Sequence, residues 1–163
     1  MDEPTNPISD AHLLALGNIG VSFQVLESIV RYSLGALVTN DTEVADHLLA
    51  GIGFRELADM LSRVVDQRGD GWVTSQKSEF HRLVKRISRA GERRSELLHS
   101  EWTPGKLQHI AVRYKAKRSA LYEVNDYEET AENLEQFARR LSGLVVQLAD
   151  QMETVGVPIF AAS

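Results

Sequence analysis

The sequence predicts a mainly α-helical protein, all-α in class: a bundle of four to five helices with a small β-strand or hairpin insertion before the last helix. Two patterns carry the prediction. Apolar residues recur at steps of three and four over several long stretches, the period of a helix with one buried face. One stretch near residue 110 alternates apolar and polar side chains instead, the period of a half-buried strand. Composition allows such a core: the chain has 163 residues, 43% hydrophobic and 25% charged, ordinary values for a globular domain.

The elements follow in order. Residues 1–8 read as a flexible tail. Ser9 or Asp10 can cap a first helix, whose stripe is Leu16, Ile19, Phe23, Leu26, Val30, Leu34 and Leu37. Gly17 and Gly20 interrupt it as points of close approach for a neighbouring helix. Asn40 with Glu43 resembles a capping box opening a second helix. That helix carries Val44, Leu48 and Leu49 and meets Gly51-Ile52-Gly53. Each glycine costs about 1 kcal/mol inside a helix, so a kink or break is expected there. Phe54, Leu57, Met60, Leu61 and Val64 resume the helical period, which the turn-forming residues 67–71 end.

A long helix then starts near Thr74 or Ser75. It carries Phe80, Leu83, Val84, Ile87, Ala90, Leu97 and Leu98 and runs to about Ser100, before Thr103-Pro104-Gly105. Over residues 109–117, Ile110, Val112 and Tyr114 alternate with Arg113, Lys115 and Lys117. The apolar set is expected to be buried and the basic set to face solvent. Ala120, Tyr122 and Val124 alternate again and suggest the return strand of a small hairpin. The last helix begins between Asp126 and Thr130, with a stripe of Leu134, Phe137, Ala138, Leu141, Leu144, Val145, Leu148 and Met152. Residues 9–155 are thus expected to form a single helical domain, and 156–163 a second flexible tail.

Several chemistries are excluded by residue type. The chain has no cysteine, so disulfides, iron–sulfur clusters, thiolate zinc sites and cysteine nucleophiles are out. The phosphate-binding loop Gly-x-x-x-x-Gly-Lys-Ser, the dinucleotide fingerprint Gly-x-Gly-x-x-Gly and the Gly-x-Ser-x-Gly elbow are absent. The five histidines, His12, His47, His81, His99 and His109, include no His-x-x-x-His pair, so no helical metal site is expected and no cofactor is implied. The first residues carry no basic segment of a secretory signal. No apolar run approaches the roughly 18 residues of a membrane span. A cytoplasmic protein without membrane association is expected.

Charge is unevenly placed. The net charge is −5, yet residues 77–118 hold 12 of the 18 basic side chains against only 4 acidic ones. Such a segment attracts a polyanion even in an acidic protein. It also fits a segment that merely pairs with its acidic flanks inside one fold.

The basic segment contains Arg93-Arg94-Ser95-Glu96-Leu97-Leu98-His99-Ser100-Glu101-Trp102. An Arg followed by four to six residues and a His, at the end of a long helix in a mainly helical chain, resembles the signature of the HEPN superfamily (higher eukaryotes and prokaryotes nucleotide-binding). Arg94 and His99 take the two fixed positions, and Arg93 also satisfies the spacing. The polar residue after the Arg is often Asn, Asp or His in the family, and here it is Ser95. The resemblance spans roughly Leu13 to Met152.

It implies an RNA-directed protein, with active members being metal-independent endoribonucleases whose motif helices meet across a homodimer. Arg94, His99 and Ser95 would be the catalytic set, with Ser95 orienting the His99 ring. Arg93, Arg113, Lys115, Lys117 and Arg118 would hold the RNA backbone, while Trp102, Tyr114 and Tyr122 are available for stacking or for the core. At 100° per residue, Arg94 falls on the apolar stripe and points about 140° away from His99. The two can cooperate only if the helix ends early or a second subunit supplies one of them. An Arg on an apolar stripe also needs a counter-charge, for which Glu27 is a candidate. The alternative is a non-catalytic helical module for dimerisation or for a protein partner.

Overall fold

The computed structural model describes residues 8–107, 110–116 and 124–157. Five helices and a small sheet make the fold: α1 (Asp10–Val38), α2 (Thr42–Leu49), α3 (Phe54–Arg68), α4 (Thr74–Leu98), the strands β1 (Glu101–Pro104), β2 (Ile110–Ala116) and β3 (Val124–Thr130), and α5 (Ala131–Thr154). This is the expected helical bundle with a β insertion before the last helix. The sheet is antiparallel in the order β1-β2-β3. It gains a strand at Glu101–Pro104, and residues 126–130, expected to open the last helix, are its final strand.

The predicted stripes form one core. Ile19, Leu26, Val30 and Leu34 of α1 meet Leu57 and Leu61 of α3, Phe80 and Ile87 of α4, and Leu134, Leu141 and Leu148 of α5. The helix ends show how the chain is punctuated. Ser9 stands at the N-terminus of α1 but bonds the His12 ring rather than a free amide. Asp41, not Asn40, caps α2, its carboxylate accepting from the Val44 amide at 3.1 Å. Between α2 and α3 the glycine pair breaks the helix, with Gly51 at a φ of +74°, a conformation other residues rarely adopt. Arg31 then donates to the carbonyl oxygens of Leu49 and, at 3.4 Å, of Ile52, and the Leu49 carbonyl also accepts from the Ile52 amide at 3.3 Å.

Gly17 and Gly20 are not close approaches: a side chain there would meet nothing within 4 Å. Gly35 and Gly91 are close approaches between helices, Gly35 with Ala45 Cβ 3.0 Å from where its own Cβ would be. The Phe54 ring lies where a Gly91 Cβ would be, 2.4 Å from the Phe54 Cε1, and stacks on Phe23 with ring centroids 4.5 Å apart. Two of the α2 stripe residues, Val44 and Leu48, are exposed, leaving Ala45 and Leu49 to bury that helix. Ile8 is buried, and Val157 packs on the core while its amide bonds the Met152 carbonyl at 2.9 Å.

An 18-residue window of α1 reaches a mean hydropathy of 1.6. By length and composition it passes as a membrane span, against the expectation that nothing approaches one. Its inner side is core, and its outer side exposes Leu14, Val21, Val25 and Tyr32.

Candidate functional site

The helix α4 ends one residue before the motif histidine. Leu98 is its last residue, and His99 leaves the helical conformation with φ −107° and ψ 11°. The chain turns directly into β1, and Trp102 anchors the turn by donating its indole N–H to the Leu97 carbonyl at 3.0 Å. Half-buried against the core, the Trp102 ring is a packing residue.

Arg94, Ser95 and His99 all line one cavity of about 760 Å3, between the C-terminal part of α4 and the Phe23–Phe54 ring pair. Arg94 is half-buried and its guanidinium carbon lies 4.8 Å from the Phe23 ring centroid. Its Nε is buried without a hydrogen-bond partner, and no ion pair holds it among the described residues. Glu27 lines the same cavity but pairs with Arg31 at 3.5 Å. The His99 ring is exposed and makes no hydrogen bond among the described residues, so Ser95 does not orient it. Ser95 is instead the residue whose backbone carbonyl accepts the His99 amide, at 3.1 Å. The wall carries the carboxylates of Glu27, Asp59, Glu92 and Glu96 against the guanidiniums of Arg55 and Arg94.

The second register of the motif is structural. Arg93 does not line the cavity. It pairs with Glu129, and with Glu96 at 4.0 Å. Arg113 joins the same carboxylate at 3.5 Å, lies over the Tyr127 ring at 4.2 Å and reaches the Ser100 hydroxyl at 3.5 Å. Glu129 is thus a buried junction between α4 and the sheet. The neighbouring buried His12 ties α1 to the same place, its Nε2 lying 3.2 Å from the Glu129 carbonyl oxygen.

The strand β2 is extended as the period of two predicts, but its faces are inverted. Arg113 is 1% exposed and shares the buried side with Ala111, whereas Ile110, Val112 and Tyr114 are only half-buried. The cause is the pairing of Arg113 with Glu129, which satisfies a charge that alternation alone assigns to solvent. Arg113 is therefore no part of an exposed basic surface. Lys115 stands in β2 by its backbone. Lys117, Arg118 and Tyr122 lie outside the described residues.

One polar cluster carries no signal in the sequence. Ser62 Oγ lies 3.0 Å from His81 Nδ1, and Asp66 Oδ1 2.8 Å from His81 Nε2. Ser62 and Asp66 share a face of α3 at a spacing of four, and His81 crosses from α4, so the cluster clasps the two helices. Among the described residues no group of three or more His, Asp or Glu side chains is arranged to hold a metal ion. Comparison with protein-family models, with curated proteins and with solved structures finds no match to this chain.

Proposed function

We propose that this chain is an RNA-directed, HEPN-like protein that cleaves RNA without a metal ion. One observation carries the reading: a half-buried guanidinium with no ion pair among the described residues, that of Arg94, and an exposed imidazole, that of His99, line the same cavity. His99 takes the proton of a ribose 2′-hydroxyl as its oxygen bonds the adjacent phosphorus. The bond from phosphorus to the 5′-oxygen breaks, and the imidazolium returns the proton to that oxygen. The products are a 2′,3′-cyclic phosphate and a 5′-hydroxyl. Arg94 offers two parallel N–H donors to the phosphate oxygens, where charge builds in the transition state. The stack on Phe23 holds its fork in place.

The test is incubation with structured RNA in EDTA. Cleavage is expected to persist, because side chains supply both proton transfer and charge stabilisation, and to leave cyclic phosphate ends. His99→Ala is expected to lower the rate about 10²–10⁴-fold. Cleavage unchanged in that variant, or abolished by the chelator, overturns the mechanism.

A second reading, a helical module that pairs with another copy of itself, is favoured by the outer side of α1. Leu14, Val21, Val25 and Tyr32 form an exposed apolar row along about five turns of helix. No Asp, Glu, Lys or Arg occurs between Asp10 and Glu27, so two such faces meet without like-charge repulsion. Light scattering at tens of micromolar is then expected to give a dimer mass, and Val21→Asp a monomer mass.

A further inference from the structure

The cavity that holds Arg94 and His99 has more carboxylates than guanidiniums in its wall, so it does not by itself attract a polyanion. The basic side chains that do so are gathered elsewhere on the same helix. Arg86, Arg89 and Arg93 recur at steps of three and four along one side of α4, and Arg140 faces them from α5. Together with Ala90, Phe137 and Leu144 they line a groove of about 390 Å3 whose wall contains no acidic residue. Counted at 100° per residue, this row lies about 130° around α4 from Ser88, Glu92 and Ser95 on the cavity side.

Three features distinguish the groove from an ordinary solvated face. Like charges three and four apart destabilise a helix by about 0.2–0.5 kcal/mol per pair, and Arg86, Arg89 and Arg93 stack two such pairs in succession. The charges are also largely uncompensated. Arg89 makes no hydrogen bond or ion pair among the described residues. Arg140 only overlies the Phe137 ring at 5.9 Å, and Arg86 donates to the neutral amide of Gln147 at 2.7 Å. Arg93 alone has carboxylate partners.

The third feature is the floor: Ala90, Phe137 and Leu144 are all buried. A protein partner needs an apolar anchor in the middle of its interface, and this groove offers almost none. A nucleic-acid backbone needs only positive charge and planar donors.

We infer that the α4–α5 groove is a phosphate-backbone site for single-stranded RNA. It rests on the RNA-directed reading above, but not on cleavage. A strand held there reaches the cavity by passing around one helix, a body about 10–12 Å across. Holding and cutting are thereby divided between two sides of α4, with Arg86, Arg89 and Arg140 binding the backbone and Arg94 and His99 acting on one linkage.

The probe is a fluorescent 2′-O-methyl oligouridylate. It has the full phosphate backbone but no free 2′-hydroxyl, so internal attack cannot consume it. The variant is Arg89→Gln with Arg140→Gln, which removes no hydrogen bond or ion pair among the described residues. The control is Arg63→Gln with Arg68→Gln, an equal change of charge on the exposed side of α3. Affinity is expected to fall at least tenfold in the groove variant at about 0.1 M salt. The slope of log affinity against log salt should lessen by about 1.4, at roughly 0.7 per phosphate contact. The control should keep wild-type affinity within about twofold.

Equal losses in both variants overturn the groove, since only net charge would then matter. So does unchanged binding in the groove variant, or groove-dependent capture of polyglutamate in place of the oligouridylate. The two readings fail separately. Lost binding in the groove variant with no cleavage of natural RNA by the wild type leaves the groove and removes the nuclease. Cleavage by the wild type with full binding by the groove variant does the reverse.

Discussion

Replacing Glu129 by Gln tests the buried junction that sets the faces of β2. The substitution keeps size and shape and removes one charge, leaving Arg113, 1% exposed, without an anion. Removing one partner of a buried pair costs about 3–5 kcal/mol. Two contacts hold the loss at the lower end: the Tyr127 ring at 4.2 Å and the Ser100 hydroxyl at 3.5 Å still face the guanidinium. Arg93, roughly one-third exposed, regains water and adds under about 1 kcal/mol. The expected loss is therefore about 3 kcal/mol, or about 6–12 °C in Tm for a chain of this size. Urea unfolding measures it without screening the charges, as guanidinium would. The double variant Arg113→Met with Glu129→Leu should recover most of the loss, because apolar residues of similar volume often replace a buried pair at no net cost. A loss below about 1 kcal/mol, or a double variant less stable than the single one, refutes the argument.

Other outcomes follow from named contacts. Arg94→Met should leave the melting temperature within about 2 °C, since the guanidinium has no hydrogen bond to lose, and should lower RNA cleavage about 10²–10³-fold. Gly91→Ala should destabilise by about 1–3 kcal/mol despite the better helix former, because the new methyl meets the Phe54 ring; Phe54→Leu in the same chain should relieve it, read by thermal denaturation. Asp41→Ala should cost about 1 kcal/mol in urea unfolding and Asn40→Ala almost nothing, since only Asp41 caps α2.

The helices were legible because each stripe repeats over several turns, and a burial pattern of that length admits one period. What the sequence hid was set by single contacts between distant residues. Nothing near Arg113 announces Glu129, sixteen positions on, as its partner, so alternation placed the basic residues of β2 outward. Asn40 and Asp41 are both good caps, and only the entry angle of the chain chooses between them. Gly17 and Gly20 looked like contact points because they interrupt a stripe. Gly91 gave no such sign: its reason is the Phe54 ring of α3, which no local pattern shows. The Ser62–His81–Asp66 clasp is hidden likewise, since its histidine stands on a different helix from its two partners.

The motif histidine stands at the C-terminal end of α4, and helix ends are what sequence patterns fix least well. The cavity wall takes in a wide arc of α4, from Arg94 through Gly91 and Ser95 to Glu92, and the direction of His99, about 140° from Arg94, falls within that arc. The helix stops at Leu98 because Glu101 begins an edge strand paired to β2, with Glu101 opposite Tyr114 and Trp102 opposite Arg113. Trp102 then takes up the Leu97 carbonyl, one of the acceptors that a helix end leaves open. The pairing of β2 with β1 on one side and β3 on the other sets Arg113 beside Ser100 and Glu129, the carboxylate that also holds Arg93. Arg93 and Arg94 are thereby sorted by their surroundings: the first is tied to the sheet through Glu129, and the second lines the cavity with no ion pair among the described residues. A change at Trp102 that frees the Leu97 carbonyl should therefore move His99 relative to Arg94 without touching either.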